Sequence, residues 1–479
     1  MRHSRPAVLI AIVAFLVAIV ARRDWPSWAE EFDPAKVVAQ AFNATSRSWE
    51  FGALTQALLE YESPNLTVFA FEPFPGGRLP EISHPAEVEA LRYAKSVIWT
   101  NHSDLLIDGE GKRQPHGNVY SIRNMGPKSP SEKADANSST YTCAGSPSDP
   151  ASLGTAALLL SGHDSAYFEA ARRQAEYLVQ RATRFHLNVT ASAISHRDEP
   201  PELWGDFIYM VPPFLAYYGV ATQDLHFLKE AVHQCQLYND VLKIDVVLET
   251  GDICRGLWRH IVSDPMTLPT GICCSDPEVW LTSNAWAVAG MTRVLATIVK
   301  WQPPPDGGVA WSDYAKFADA AKDALVEIIT SMLTCVVRQA RDPESSLVKN
   351  YLDGPLSRSA EYAFGDTAGT ALMSATVYRL AVLDPTTFAR PDLLNWADVN
   401  WRVVSKHIDH KGTAGPVADV SNVPSKGPVR QTSEGQSMVL LMYSARRDCV
   451  RAGLCHRRSH LAAIRARIGS MWRGQWQWQ

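Results

Sequence analysis

The chain has 479 residues, 46% hydrophobic and 20% charged, with a formal net charge of −4. Those proportions are ordinary for a globular protein, without strong polyelectrolyte character, and nothing in them points to a nucleic-acid partner. At this length two or three domains are the usual expectation, although barrels run long as single units.

The first feature in chain order is a leader. Arg2, His3 and Arg5 form a basic start, and an unbroken apolar run extends from Ala7 to Ala21 before Arg22 and Arg23. The run is short for a spanning helix, which needs about 20 apolar residues. A cleaved signal over residues 1–21 is therefore favoured over an anchor, although Ile19 fits the small-x-small rule poorly. A membrane contact is expected only if the segment stays uncleaved, and the remainder is expected to be secreted. Asn-x-Ser/Thr sequons at Asn43, Asn65, Asn101, Asn137 and Asn188 and the even count of eight cysteines agree with a secretory route. Cys449 and Cys455 close a short loop and are the expected pair, and Cys254 is expected to pair with Cys273 or Cys274. The lack of any C-x-x-C spacing argues against a zinc ribbon or a thioredoxin-like site.

Beyond the leader one theme recurs: an apolar helix rich in small residues, a turn, then an amphipathic helix. The apolar members are Phe51–Tyr61, Ser152–Ser161, Asp206–Tyr218, Asn284–Val299, Asp366–Ala381 and Ser433–Ala445. Their partners lie near Pro85–Ile98, Tyr167–Ala182, Leu225–Leu242, Asp313–Ala340, Leu393–His407 and His460–Met471. A helix apolar all round is buried on every side, whereas one with a charged face lies outside. Alternation of the two kinds predicts an all-α fold, an (α/α)6 barrel of six helical hairpins occupying residues 30–472, with 473–479 a loose tail. An open solenoid is the competing arrangement. Asp206, Asn284, Asp366 and Ser433 with Glu434 begin the apolar helices and suit N-terminal caps. In a barrel these ends gather at one mouth, together with the long loops Ile107–Pro150, Gly251–Glu278 and Gly412–Gln431.

Serine-hydrolase elbows, zinc-protease helices, phosphate loops and dinucleotide glycine patterns are all missing. Asp-Asp pairs are missing too, which argues against helical-barrel mannanases and terpene cyclases. What remains is carboxylates at helix starts. Asp206 sits in Trp204-Gly205-Asp206-Phe207-Ile208-Tyr209-Met210, an acid among large apolar neighbours. Desolvation there raises a carboxyl's pKa and suits it to general-acid work, while a helix N-terminus pulls the other way. Plain N-capping is the competing role. Asp149 stands before the second apolar helix as a second acid at the same mouth. His196 and His260 lie in loops leading to it, and Trp280 and Trp286 flank Asn284 as a stacking wall for a sugar ring.

These motifs resemble those of the six-hairpin glycosidases, specifically unsaturated rhamnogalacturonyl hydrolases and, more distantly, unsaturated glucuronyl hydrolases. The resemblance rests on His196-Arg197, on Trp204-Gly205-Asp206 followed by Met210 and Pro213-Phe214-Leu215, and on Gly256-Leu257-Trp258-Arg259-His260. Trp280 through Trp286 resembles the family's W-x-R-G-N-G-W segment, and the likeness runs from about Ser152 to Ser444. The resemblance implies an (α/α)6 barrel with neither metal nor cofactor, and hydration of the C4–C5 double bond left on a uronic acid by a polysaccharide lyase. In that mechanism one aspartate protonates C4 and then activates the water that attacks C5, and Asp206 matches it by position. Asp149, His196, Trp204, Met210, His260, Trp280, Asn284 and Trp286 are then the expected substrate-binding set, with an oligosaccharide as partner. One departure stands out: Thr282-Ser283-Asn284 replaces Arg-Gly-Asn, which removes a guanidinium fork suited to a uronate. Arg197 and Arg259 are candidate replacements. A hydrolase acting on a neutral glycan and a non-catalytic carbohydrate-binding barrel are the alternatives.

Overall fold

The computed structural model describes residues 31–98, 100, 146–188, 190–198, 200–265, 276–352, 362–420 and 427–455. The leader, the proposed helix 460–471, the tail, Asn101, Asn137, Cys273 and Cys274 lie outside the described residues.

Thirteen helices are described: α1 (Pro34–Ala44), α2 (Ser48–Glu62), α3 (Glu89–Val97), α4 (Gly154–Leu160), α5 (Ser165–Gln180), α6 (Phe207–Thr222) and α7 (Leu225–Leu242), then α8 (Leu281–Lys300), α9 (Trp311–Val336), α10 (Thr367–Leu383), the short α11 (Pro385–Phe388), α12 (Pro391–Lys406) and α13 (Ser433–Arg451). A 3-10 segment, Asp149–Leu153, leads into α4. In α10 every side chain from Thr367 to Ala381 is buried, and in α6 every one from Phe207 to Val220. The outer α5 instead buries one stripe, including Tyr167, Ala170, Ala171, Gln174 and Leu178, and leaves its Glu169–Arg172–Glu176 ladder wet.

Packing closes the inner helices into a ring: α2 against the Asp149 segment, then α6, α8, α10, α13 and back to α2. Each inner helix carries one outer helix, in the pairs α2–α3, α4–α5, α6–α7, α8–α9, α10–α12 and α13–α1. The expected barrel of six hairpins is present, and the solenoid is not. The sixth outer position, beside α13, is taken by α1, from the N-terminal side of the chain; the segment expected as its outer partner, near 460–471, lies outside the described residues.

Close approach of the inner helices is set by backbone detail. Pro212 has no N–H, so the Ile208 carbonyl lacks its helical donor. Gly290 of α8 faces that carbonyl, and a Cβ there would stand 2.0 Å from its oxygen. At the far end of the ring Glu60 of α2 binds both Arg293 of α8 and Arg379 of α10, and Arg379 also binds Asp448 of α13.

Short antiparallel pairs decorate the loops. They are β1 (Arg184–His186) with β2 (Ser192–Ile194), β3 (Glu202–Trp204) with β6 (Ile261–Ser263), β4 (Lys243–Val247) with β5 (Ile253–Trp258), and β7 (Val417–Ala418) with β8 (Pro428–Val429). The Cys449–Cys455 bridge is present. Cys254 is bridged to Cys335, not to Cys273 or Cys274. The β5 strand lies along the C-terminal end of α9, where the Ser331 hydroxyl donates to the Arg255 carbonyl, and this brings the two Cα atoms to 5.6 Å.

Candidate active site

The N-terminal ends of the inner helices meet at one mouth, stitched by side chains. Ser48 donates to Asp149, Trp49 to Glu434, Ser283 to Asp206 and Thr282 to Asp366. Capping is where expectation and structure part. Asp366 does cap α10, accepting from the Gly369 N–H. Asp206 occupies the N-cap position of α6 but makes no side-chain capping bond, so its carboxylate is left for other partners. Asn284 is no cap, since α8 begins at Leu281, and Thr432 rather than Ser433 caps α13.

Why His260 meets Asp206 follows from the β3–β6 pair. Its register places Trp204 opposite Ile261, and the Gly205 N–H donates to the His260 carbonyl at 3.1 Å. A Cβ on Gly205 would stand 2.4 Å from Ser283 Oγ, so the glycine leaves room for that hydroxyl where it lies. With it there, Ser283 donates to Asp206 Oδ2 at 3.2 Å, and His260 Nε2 lies 3.3 Å from the same oxygen. The latter contact is an ion-pair distance, without the alignment of a hydrogen bond. On the other side His260 Nδ1 lies 2.9 Å from Asp276 Oδ2, which also accepts from the Tyr351 hydroxyl at 2.6 Å.

The electrostatics follow from this placement. Burial opposes a charge on His260, but the Asp206 and Asp276 carboxylates outweigh it and push its pKa up to about 9. His260 is therefore an imidazolium at neutral pH. Burial lowers His196 well below its ordinary value, helped by the charges of Arg197 and His260, so that ring is neutral and shares a hydrogen bond with Ser148. Burial raises Asp149, against the pull of Arg197, Ser48 and Ser146, and the Asp206 charge adds to the rise.

Aromatic rings box these groups in. His260 lies edge-on to Trp204 at 5.4 Å and against Trp280 at 4.5 Å. His196 stacks on Trp204 at 4.8 Å, and the Arg197 guanidinium lies 4.5 Å from the Trp204 ring. The Trp204 indole donates to Glu202 and the Trp280 indole to Asn350, which hold both rings in place. Buried Arg197 Nε has no partner among the described residues.

Asp149, His196, Trp204, Asp206, His260 and Trp280 thus form one neighbourhood. Three other expected residues do not join it. The Asn284 amide is consumed by the backbone, accepting from the Trp258 N–H and donating to the Trp258 and Trp280 carbonyls. Trp286 is 2% exposed and meets Tyr209 edge-on at 4.3 Å, deeper along the barrel. Met210 is buried in the core on α6. Asp276 and Ser283 escaped the sequence reading. Asp276 carries no motif, and Ser283 was legible only as part of a departure from a pattern. Among the described residues no group of three or more His, Cys, Asp or Glu side chains is arranged to hold a metal.

A family model, Glycosyl Hydrolase Family 88, matches residues 152–419. A family 105 glycoside hydrolase from C. acetobutylicum ATCC 824 is similar in structure, with a TM-score of 0.55, 14% identity, and coverage of 86% of this chain and 98% of that one. A protein described as a polysaccharide lyase gives a TM-score of 0.51 at 16% identity, covering 87% of this chain and 98% of that one. An unsaturated glucuronyl hydrolase from Bacillus sp. GL1, responsible for degradation of glycosaminoglycan, gives 0.41 at 17% identity over 63% of this chain and 74% of that one. No curated protein sequence matches the chain.

Proposed function

The chain belongs to glycosyl hydrolase family 88, and from that premise we propose that it removes an unsaturated uronic acid from lyase-generated, pectin-type oligosaccharides. The bond attacked first is the C4–C5 double bond. Asp206 gives its proton to C4, a water adds at C5 as its proton passes to Asp206, and the resulting hemiketal collapses to release the sugar. One carboxyl acts in turn as acid and base, so the spacing of a carboxylate pair is not the criterion.

The observation that carries this reading is the Asp206 environment. The Asp206 side chain is 11% exposed, free of capping duty, and in contact with Ser283 and the His260 imidazolium. Asp149 stands close enough to feel its charge. Trp204 and Trp280 supply flat walls, and Arg197, whose Nε has no partner among the described residues, is our candidate cation for the uronate carboxylate.

Mixing the protein with lyase-generated oligosaccharides should remove the ultraviolet absorbance of the unsaturated uronide, and Asp206→Asn should abolish that loss. Absence of any loss with the wild-type protein sinks the reading. A neutral-glycan hydrolase is the second reading, favoured by one observation: Thr282, where the family pattern has Arg, spends its hydroxyl on Asp366 and offers no charge. We also propose secretion, a single barrel domain over residues 30–472, and glycans on the exposed Asn43, Asn65 and Asn188.

A further inference from the structure

Glu434 is the second residue of α13 and is 3% exposed. Thr432 caps that helix, so the Glu434 carboxyl is not needed there. Its Oε1 accepts from the Trp49 indole at 2.6 Å, while its buried Oε2 has no partner among the described residues. Burial, the charge of Glu50 and the charge of Asp206 all oppose ionisation, and together they outweigh the Trp49 bond and Arg47, pushing the pKa up to about 8. Burial raises Glu50 too, but its Oε2 accepts from the Ser46 and Arg47 N–H groups at 2.8 Å each, which favour its charge and leave the proton of the pair on Glu434. The third neighbouring helix, α10, offers Asp366, whose oxygens are taken by Gly369, Thr282 and Ala418. On α1, Lys36 is bonded to the His410 carbonyl.

A buried carboxyl that keeps its proton is a hydrogen-bond donor. The neighbouring carboxyls are engaged by donors of the protein itself: Asp149 accepts from Ser48 and Ser146, Asp206 from Ser283, and Glu50 from Ser46 and Arg47. A sugar acid carries acceptors of its own and needs donors. We propose that Glu434 is a specificity-determining residue that donates from Oε2–H to an oxygen of the bound sugar acid, with Trp49 holding the carboxyl in position. This rests on the reading that the barrel mouth takes unsaturated uronides.

The test is KM and kcat for lyase-generated unsaturated oligosaccharides, from about pH 6 to about pH 9, for wild type, Glu434→Gln and Glu434→Ala. Calorimetric binding of the same sugars serves as a parallel readout. Glu434→Ala should raise KM and Kd about tenfold with kcat within about twofold, and Glu434→Gln, which keeps a donor, should restore both. Wild-type KM should climb as pH passes about 8, and the Gln variant should lose that rise; the separate titration of His260 stays in both. If Glu434→Ala binds as wild type does, or Glu434→Gln keeps the alkaline rise in KM, the proposal fails. Turnover with indifferent variants overturns Glu434 alone. Binding without turnover that still depends on Glu434 overturns only the hydrolase reading, and neither binding nor turnover overturns both.

Discussion

His260 lies between two carboxylates, its Nε2 3.3 Å from Asp206 and its Nδ1 2.9 Å from Asp276. The imidazolium this creates is a fixed positive charge beside the proposed acid, and Asp276 sustains it from the side away from Asp206. Its pKa of about 9 places loss of that charge in the alkaline range.

Asp276→Asn should move the alkaline limb of kcat/KM down by about one unit and cut the rate about tenfold near neutral pH. A pH–rate profile on the unsaturated substrate checks this, and an unchanged limb refutes the coupling. Stability should follow the same proton. Because the folded-state pKa of His260 is raised above 6.5, its contribution is complete below about pH 6.5 and is lost as pH rises through about 9. Replacing His260 by Gln should therefore flatten the fall in Tm over that window.

Gly205→Ala should displace the Asp206 segment, because the new Cβ would stand 2.4 Å from Ser283 Oγ. Overpacking of this kind costs about 1–3 kcal/mol, and turnover should fall by about a hundredfold. Adding Ser283→Ala removes the clashing oxygen and should recover stability, but not full turnover, since the Ser283–Asp206 bond is lost as well. Recovery of both to the wild-type level would show that this bond is dispensable.

Glu60→Ala should lower stability by about 3–5 kcal/mol, because it strips the Arg293 guanidinium of its carboxylate inside the ring and leaves Arg379 with Asp448 alone. Denaturant melts measure the loss. Glu60→Gln should recover part of it, and a variant as stable as wild type would remove this network from the account of barrel closure.

Cys254→Ser with Cys335→Ser should cost about 4–5 kcal/mol by chain entropy, since the bridge joins residues 81 apart in sequence. Opening the Cys449–Cys455 bridge, which spans 6 residues, should cost less. Thermal melts of the two double variants rank them, and the reverse order would contradict the loop-length argument.

Much of the barrel was legible because burial leaves a periodic trace. Helices such as α10, apolar all round, had to be inner, and those with one wet stripe, such as α5, had to be outer. Closure was less legible, because α1 is brought to α13 from the opposite end of the chain. Cys254 was mispaired for a related reason: proximity in sequence suggested Cys273 or Cys274, whereas the packing of β5 on α9 presents Cys335.

At the candidate site, the residue types and their neighbours along the chain were enough to single out Asp206, Asp149, His196 and His260, since acids at inner-helix starts and histidines in the loops before them are visible without coordinates. Sequence could not say whether Asp206 caps its helix, and the structure decided that it does not, because its backbone is helical and its carboxylate turns to Ser283 and His260. Nor could it separate Trp280, which walls the site, from Trp286, six residues on, which is buried against Tyr209. Asp276 lies 70 residues from Asp206 in sequence and its relevance comes only from folding, whereas Glu434, 228 residues away, was legible as a helix start but not as an unpaired carboxyl. Residue identity and local period are properties of the chain, and they set the barrel and the position of Asp206. The proton affinities of His260 and Glu434 depend on charges supplied by other helices and on the exclusion of water, and only the tertiary structure decides those.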